Sequence, residues 1–333
     1  MPSSFCTFCD PNTGSTLRSD FGTSHNVGTI FGNCAAILGG IPSATPTNLN
    51  CADLSVIVRG DSNCICLSGA GNGCYNFIGN GNAHLVTGSN NFLGGGNNNQ
   101  INSFVGSSVF GSVIVGGENN LICDNGSIIA SDSFIGGGSD HHVYGTKSVV
   151  AGGLHNYVYS SCSFIGGGAC NNIHLCYDMN TIVGGCQNSI GSSITSGSGF
   201  TVGYSIIGGG VNNCIDSTPT GISKFDFIDD GCNNTVCAGT NHSGIFSGYQ
   251  NCVSGSCSVV LGGSGNNDGG YNYVGIFGCN VTGVVANGFH VNEVVIQDIP
   301  VVNAVGFLGL VQGQLYTNVA YPAAFLGRPI YIK

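Results

Sequence analysis

The sequence predicts an all-β protein, a parallel β-solenoid with a repeat of about 15 residues. A short phrase recurs at this spacing as SFIGGG, SVVAGG and SFIGGG at residues 133–138, 148–153 and 163–168. No segment carries apolar residues at helical spacing, and the apolar residues are mostly Val, Ile and Phe, which favour strands. A repeat this short cannot bury its own apolar face, so each unit must stack on its neighbours.

Each repeat is predicted to contain two short strands separated by corners. An apolar pair such as Phe164-Ile165 is followed by a Gly-Gly corner, an Asn-rich turn and an isolated aliphatic residue, here Ile173. Glycine and Asn tolerate positive φ, so we expect them at the corners. The pairs recur from Ile37-Leu38 to Ile276-Phe277. This predicts about fourteen coils, and a rod of about 65–70 Å if neighbouring coils lie roughly 4.8 Å apart.

The local composition of the sequence divides the chain into three parts. Gly-Gly pairs and Asn turns fill residues 28–287, which we predict to be the solenoid body. They fade afterwards, and a solenoid needs a cap that protects its last coil from edge-to-edge association. Residues 288–333 are therefore predicted to be a β-rich C-terminal cap and trimerisation element. Residues 1–27 are predicted to be an N-terminal lead-in or attachment segment.

The apolar pair predicts self-association. Neighbouring residues of a strand point to opposite faces, so a strand in which both are apolar is expected to be buried on both sides. One face can line the coil interior, while the other needs a cover. A second copy of the chain is the simplest cover, and closed symmetry with three copies would bury the faces around an axis. The alternative is one wider solenoid with both residues near a corner.

Charge and hydropathy exclude several classes of function. The net charge is −10 and only 7% of the residues are charged, so the basic footprint of a nucleic-acid-binding protein is missing. No stretch is long and apolar enough to predict a membrane span. The first residues lack the basic and apolar regions of a secretory signal. We therefore expect either a leader that has been removed or assembly in a cytoplasm followed by another route of exit.

Eighteen cysteines leave three interpretations open. Cysteine behaves as a small, often buried hydrophobe, and Cys162 and Cys257 occupy equivalent repeat positions, which favours stacked fillers. Disulfides between coils are the second interpretation, with the pairs Cys170/Cys186 or Cys232/Cys252 as examples. Zinc binding is the third and has the least support, because a lone CxxC at residues 6–9 has no partner motif. The disulfide pairing stays unknown at this level.

A His-rich corner is the main candidate for a binding site. Asp140 and two histidines follow a Gly-Gly-Gly corner, and another histidine lies one predicted coil away. Histidines and tyrosines on one side of a rod would suit glycan binding, whereas a plain solvated corner or a metal cluster are the alternatives. We predict no catalytic residue, no cofactor and no metal site. The predicted binding residues are His141, His142, Tyr144, His155 and Tyr157.

The repeat units SFIGGG and KSVVAGG at residues 133–138 and 147–153 resemble the head repeats of trimeric autotransporter adhesins, the YadA-like heads. Related repeats occur in tail fibres and other virion fibres of phages and large DNA viruses. The resemblance covers roughly residues 28–285. It implies left-handed parallel β-rolls in a homotrimer, intertwined or side by side, that is used for attachment.

Three departures from the bacterial adhesins shape the expected function. The sequence shows no signal peptide, no heptads of a coiled-coil stalk and no membrane-anchor barrel, which favours a virion or other extracellular fibre made in a host cytoplasm. We expect a structural attachment fibre that binds itself and a host-surface glycan or protein, without nucleic acid or membrane insertion. We do not expect an enzyme.

Two other functions remain open. A polysaccharide-degrading fibre enzyme would need paired carboxylates in a groove, and the adjacent Asp229 and Asp230 should point to opposite faces of a strand. A purely structural filament subunit without a receptor is the second alternative.

Overall fold

The structure is a computed structural model that describes residues 6–9, 16–19, 28–39, 48–66, 74–103, 109–124, 130–174, 179–191, 201–216 and 222–292. The chain divides into two units, Met1–Asn292 and Glu293–Lys333, and the second lies outside the described residues. Among the described residues there is no helix. The first unit is a parallel β-solenoid of about 13 turns, which confirms the predicted fold class.

Two sheets run along the solenoid, and each coil contributes one strand to each sheet. The strands are short because a coil must reverse direction within about 15 residues. All pairings between coils are parallel. The first sheet contains Ala36–Ile37, Val56–Ile57, Phe77–Ile78, Phe92–Leu93, Val113–Ile114, Phe134–Ile135, Val149–Val150, Phe164–Ile165, Thr181–Ile182, Ile206–Ile207, Phe227–Ile228, Gly244–Ile245, Val259–Ser264, Gly275–Cys279 and Phe289–Val291.

The second sheet has thirteen strands on the other side of the coil interior. They are Gly28–Ile30, Asn48–Asn50, Cys64–Cys66, Leu85–Thr87, Gln100–Asn102, Leu121–Cys123, His142–Val143, Tyr157–Val158, Asn172–Ile173, Ser189–Ile190, Cys214–Ile215, Thr235–Val236 and Cys252–Val253. Thr201–Gly203 and Ile222–Lys224 form a separate parallel pair.

The two ends of the first unit extend the first sheet. Cys6–Cys9 and Thr16–Ser19 form an antiparallel hairpin, and Thr16–Ser19 also pairs with Ala36–Ile37 in parallel. At the other end, Phe289–Val291 pairs with Gly275–Cys279, so the parallel arrangement continues just beyond residue 287. The predicted cap after residue 292 lies outside the described residues.

A column of aliphatic side chains fills the interior. In most of the short strands one aliphatic residue is fully buried and stacks on its equivalent in the next coil, as Ile135 does on Ile114 and Val150. Burial of each such side chain contributes about 1.5–3 kcal/mol. The column from the first sheet contains Ile37, Ile57, Ile78, Leu93, Ile114, Ile135, Val150, Ile165, Ile182, Ile207, Ile228, Ile245, Val260 and Ile276.

In most of the apolar pairs the second residue faces the interior, but four coils differ. In the pairs that begin with Ile37, Ile182, Ile245 and Ile276, the first member faces inward, because a small or polar residue precedes it in the strand. The second member then lies outside the coil. Two adjacent apolar residues alone do not show which of them starts the strand.

The Asn-rich turns form left-handed corners, as expected, at Asn98, Asn119, Asn212 and Asn233, and the residue after each corner belongs to a buried hydrogen-bond ladder. In each coil one Asn or His side chain points inward and accepts a hydrogen bond of 2.9–3.1 Å from the backbone N–H of its equivalent in the next coil. The rungs of this Asn ladder are Asn48, Asn63, His84, Asn99, Asn120, His141, Asn156, Asn171, Asn188, Asn213, Asn234, Asn251 and Asn266, and all are buried.

Asn171 shows how completely one rung is used. Its Oδ1 accepts from the Asn188 N–H at 3.0 Å. Its Nδ2 donates to Gly167 O at 2.9 Å in the same coil and to Gly185 O at 3.0 Å in the next coil. The side chain therefore forms hydrogen bonds with the Gly-rich corner of its own coil and with the equivalent corner of the next coil. Unpaired buried groups of this kind would each cost about 1–3 kcal/mol.

A second ladder runs beside the first sheet. Each rung is the residue just before a strand of the first sheet. Apart from Ser205, each side chain accepts a hydrogen bond from a backbone N–H of the next coil. The Ser205 hydroxyl is buried without a hydrogen-bond partner. The rungs of this Ser ladder are Ser55, Asn76, Asn91, Ser112, Ser133, Ser148, Ser163, Asn180, Ser205, Asp226, Ser243 and Ser258.

Asp226 places a carboxyl group where other coils have a neutral side chain. Its Oδ1 accepts from the Ser243 N–H at 2.8 Å, and its Oδ2 lies 2.9 Å from the Thr240 hydroxyl, which also faces Cys237 O. Burial raises the pKa of Asp226 to about 6. Relative to the unfolded chain, the fold therefore favours the protonated form, and above about pH 6 the carboxyl group is ionised in the interior at a cost.

The Gly-Gly corners have positive φ at glycine, as expected. The corner before each rung of the Ser ladder is left-handed too, but residues other than Gly and Asn dominate it. Cys162, Met179, Tyr204 and Phe225 all adopt φ between 54° and 72° there. Left-handed backbone costs a non-glycine residue about 1–2 kcal/mol. The ladder bond that follows each corner offsets this cost, so the repeat geometry decides the conformation rather than the residue type.

We expect Asn171→Ala to lower the free energy of unfolding by about 3 kcal/mol, because it leaves the Asn188 N–H and Gly167 O unpaired and removes one of the two hydrogen bonds that Gly185 O accepts. The adjacent Asn172→Ala provides a matched control, since Asn172 Oδ1 has no hydrogen-bond partner. Its effect should stay below about 1 kcal/mol. Urea denaturation followed by circular dichroism measures both. Equal effects would show that the ladder is not a main source of stability.

Asp226→Asn is expected to stabilise the protein at neutral pH. A carboxyl whose pKa is raised in the fold adds stability below its unfolded value, and this stability is lost as the pH rises through about 6. At about 1.36 kcal/mol per unit, the variant should gain up to about 3 kcal/mol at pH 7.5 and little at pH 4. Denaturation midpoints at both pH values test this.

Asp268→Asn is the control for that experiment. The buried Asp268 carboxylate accepts three backbone N–H groups, from Ser254, Gly255 and Gly270, and the Ser254 hydroxyl. An amide cannot accept all of them, so this variant should be destabilised at pH 7.5. If Asp226→Asn behaves in the same way, the charge at residue 226 is not unfavourable.

Candidate functional site

The outer face of the second sheet carries the aromatic residues of the His-rich region. Val143 and Val158 point into the coil, so the residues before and after them point outward by strand alternation. Consecutive coils then stack their outward side chains in columns, because Tyr157 pairs directly with His142. We call the resulting cluster the aromatic patch, which consists of His142, Tyr144, Tyr157, Tyr159 and His174.

The rings of the aromatic patch contact one another along the solenoid axis. Tyr144 and Tyr159 stack with centroids 4.9 Å apart and an interplanar angle of 9°, and His174 continues the stack at 6.3 Å from Tyr159. His142 meets Tyr157 edge to face at 4.9 Å, and its Nδ1 lies 3.2 Å from the Tyr144 hydroxyl. Because stacked rings cover each other's faces, the patch presents mainly ring edges and polar groups.

A shallow depression of about 200 Å³ adjoins the aromatic patch. Its lining is mostly polar and includes amides, one carboxylate and one imidazole. Such groups bind polar ligands through directional hydrogen bonds. The lining residues are Asn98, Gln100, Asn119, Asn120, Leu121, Asp140 and His142.

The protonation states make this surface nearly neutral apart from one carboxylate. Burial lowers the pKa of His142 and of His174, and raises the pKa of Tyr144 to about 12. The Ser139 hydroxyl is the main cause that lowers the pKa of Asp140, with smaller effects from Asn119, His155 and His142. At neutral pH the site therefore offers neutral rings, hydroxyls and amides beside a single anionic group.

The structure separates His141 from the other predicted binding residues. Its side chain is fully buried in the Asn ladder, where Nδ1 accepts from the Asn156 N–H at 3.1 Å. It cannot contact a ligand at the surface, so the prediction for this residue is corrected. His84 holds the same position in an earlier coil. Alignment of the repeats would have shown this, because both histidines stand where other coils have Asn.

His155 lies at an exposed corner, one coil away from Asp140. Its Nε2 is 3.7 Å from Asp140 Oδ2, a weak contact at the surface. The structure thus brings His142, Tyr144 and Tyr157 into one patch and leaves His155 beside the depression. Within the described ranges, no group of three or more His, Cys, Asp or Glu side chains could hold a metal ion.

The outer face of the first sheet is mostly apolar along the solenoid, with the exposed Asp229 as an exception at the position that Val115 and Val183 hold in other coils. The residues on either side of the buried column point outward, and many are large and exposed. Phe164 keeps 38% of its surface exposed and Ile206 keeps 48%. We call this surface the apolar face. Its most exposed members are Phe92, Val115, Phe164, Val183, Ile206, Phe246, Leu261, Phe277 and Phe289.

The cysteines are mostly not buried fillers. Among the free cysteines of the described residues only Cys123 is buried. Cys162 and Cys257 occupy equivalent positions as predicted, but these are exposed corners with φ of 54° and 55°. In both pairs suggested from the sequence the thiols are free. The disulfide described here joins Cys64 and Cys66.

Asp229 and Asp230 are both exposed at a corner, where Asp229 N donates to Ile245 O and Asp230 N to Phe246 O. Neither lies in the polar depression.

No helix in the described part of the chain is long and apolar enough to span a bilayer. No protein-family model and no curated protein sequence matches this chain.

Proposed function

We propose that this protein is the subunit of a trimeric attachment fibre, in which the apolar face joins three copies and the opposite face meets a host surface. The apolar face carries this proposal. It would be about 60 Å long over 13 coils at about 4.8 Å each, and about two side chains wide. This gives roughly 600 Å², which is at the upper end of the apolar patches found on monomers.

Another copy of this chain is the occupant that the apolar face favours. The exposed residues are spaced by the coil repeat, so an equivalent solenoid alongside would present side chains at the same interval. A patch of roughly 600 Å² per copy also approaches the area that each partner contributes to a stable interface. Closed threefold symmetry would bury all such faces and leave none to extend an open filament.

The resemblance to YadA-like heads supports the same arrangement. Those repeats form left-handed β-rolls in trimers and serve attachment, and this chain combines the phrase SFIGGG with a parallel solenoid. On this proposal the fibre belongs to a virion or another extracellular surface. The second sheet then faces outward, and its aromatic patch and depression bind a neutral host glycan or a polar protein surface.

Phe164→Asp is expected to break the assembly, because it places a charge in the centre of the apolar face. Light scattering after size-exclusion chromatography should give close to three times 33.7 kDa for the unchanged protein and about 33.7 kDa for the variant. Ser189→Asp makes an equivalent change on the second sheet and should leave the trimer intact. A monomeric unchanged protein would argue for a single solenoid, and a very large polydisperse species for a filament.

Attachment can be tested separately on the intact trimer. Replacing both Tyr144 and Tyr159 by Ala removes two hydroxyl groups and the central stack of the aromatic patch. We expect binding to host cells or to an array of neutral glycans to fall at least about tenfold, consistent with the loss of two polar anchors. Ser189→Asp serves again as the control. Unchanged binding by a correctly assembled double variant would exclude the aromatic patch as the receptor site.

A further inference from the structure

Two free thiols meet across the last two coils of the second sheet. Cys237 follows Thr235–Val236, and Cys252 begins the next strand, Cys252–Val253. Val236 and Val253 pair in register and point inward, so both cysteines lie on the outer side. Their sulfur atoms are 3.2 Å apart. Both side chains are half-buried, so a small reagent can reach them.

We propose that Cys237 and Cys252 are an oxidation site, at which a low-molecular-weight disulfide such as oxidised glutathione converts the two thiols into a covalent staple between neighbouring coils. Cys252 pairs with Thr235, so the two cysteines stand at diagonal positions, and the usual S–S length near 2.05 Å requires a small approach of the two strands as well as of the sulfur atoms. The closed loop would contain the rest of one coil, including the strand Gly244–Ile245 of the first sheet. The two strands that it joins already share the hydrogen bond from Cys237 N to Val253 O.

The environment gives the two sulfur atoms different roles. The hydrogen bond between the two sulfur atoms lowers the pKa of Cys252 despite burial and the nearby Asp268 carboxylate. The same contact raises the pKa of Cys237. Cys252 is therefore the first nucleophile, since the thiolate is the reactive form.

The exchange balances in two steps. The Cys252 thiolate attacks one sulfur of the small disulfide, forms a mixed disulfide and releases one thiolate. Cys237 then loses its proton and attacks the Cys252 sulfur, which releases the second thiolate. The protein pair gives up two electrons and two protons in total, and the small disulfide is reduced to two thiols.

The position of the pair explains what the staple would do. Cys252–Val253 is the last strand of the second sheet, and after it Cys252 and Asn267 form only an isolated bridge. Terminal strands open more readily than central ones, and an open strand edge invites association with other chains. A covalent link to Thr235–Val236 would hold this strand closed. The inference concerns only the solenoid and does not depend on the trimer or on a receptor.

The test uses the full chain, reduced with dithiothreitol, desalted and treated with oxidised glutathione under native conditions. Remaining thiols are then blocked with N-ethylmaleimide, and the protein is digested with pepsin without reduction. Mass spectrometry should find a peptide pair that joins Cys237 to Cys252 with two hydrogen atoms missing. Cys257→Ser, a change at a nearby exposed corner, should keep this link, whereas Cys237→Ser should lose it.

Hydrogen exchange measures the consequence for the terminal strand. Oxidation should slow exchange of the amides of Cys252–Val253 by about tenfold in the unchanged protein and in Cys257→Ser, and leave it unchanged in Cys237→Ser. Three results would each overturn the proposal: alkylation of both cysteines after oxidation, a link from Cys252 to any other cysteine, or a correct link without slower exchange.

Discussion

The structure depends on a hydrogen bond that crosses from each coil to the next inside the solenoid. The interior is too narrow to admit solvent to the backbone at the corners, so their N–H and C=O groups need partners from the protein itself. The Asn ladder provides them with one side chain per coil. Asn156 and Asn171 are separated by 15 residues and Asn188 and Asn213 by 25, yet both ladder bonds measure 3.0 Å. Additional residues are therefore accommodated without a change in the stacking of the coils.

This constraint also explains where chemical variety is tolerated. A rung must present an acceptor to the next coil, and neutral histidine can do so through Nδ1 as His84 and His141 do. Asp226 also presents an acceptor, but burial raises the pKa of its carboxyl group to about 6, so the ionised form carries a cost inside the fold. The outward residues face no such demand. The two sheets consequently differ outside, with an apolar surface on one and rings, amides and thiols on the other, although the interiors of all coils are alike.

Much of this fold was predictable from the sequence. The repeated motif and the absence of helical periodicity predicted the parallel solenoid, and apolar pairs such as Phe164-Ile165 were correctly expected to form its short strands. The direction of each side chain was harder to predict. Asn171 looks like a surface corner residue in sequence, because Asn is typical both of exposed turns and of buried ladders. The same ambiguity placed His141 in a binding site, although the equivalence of His141 with Asn120 and Asn156 identifies it as a rung.

The aromatic patch was predictable only in part. His142, Tyr144 and Tyr157 lie close together as their spacing suggested, but the contribution of His174 depends on the stacking of coils that the sequence does not specify. The closeness of Cys237 and Cys252 depends in the same way on strand register. Sequence separations that vary from coil to coil obscure which residues become neighbours, so such pairs emerge only when the coils are aligned in space.

The left-handed corners have a consequence for how such a protein changes over time. The position before each rung of the Ser ladder is exposed, and it accepts a thiol, a thioether, a phenol, an imidazole and an ammonium group, as Cys162, Met179, Tyr204, His242 and Lys147 show. Backbone conformation there is maintained by the neighbouring rungs. These corner positions recur once per coil, about 4.8 Å apart. A substitution at one of them changes a single point on the surface and leaves the interior unchanged. The solenoid thus separates the residues that specify its architecture from a row of sites whose chemistry is free to diverge.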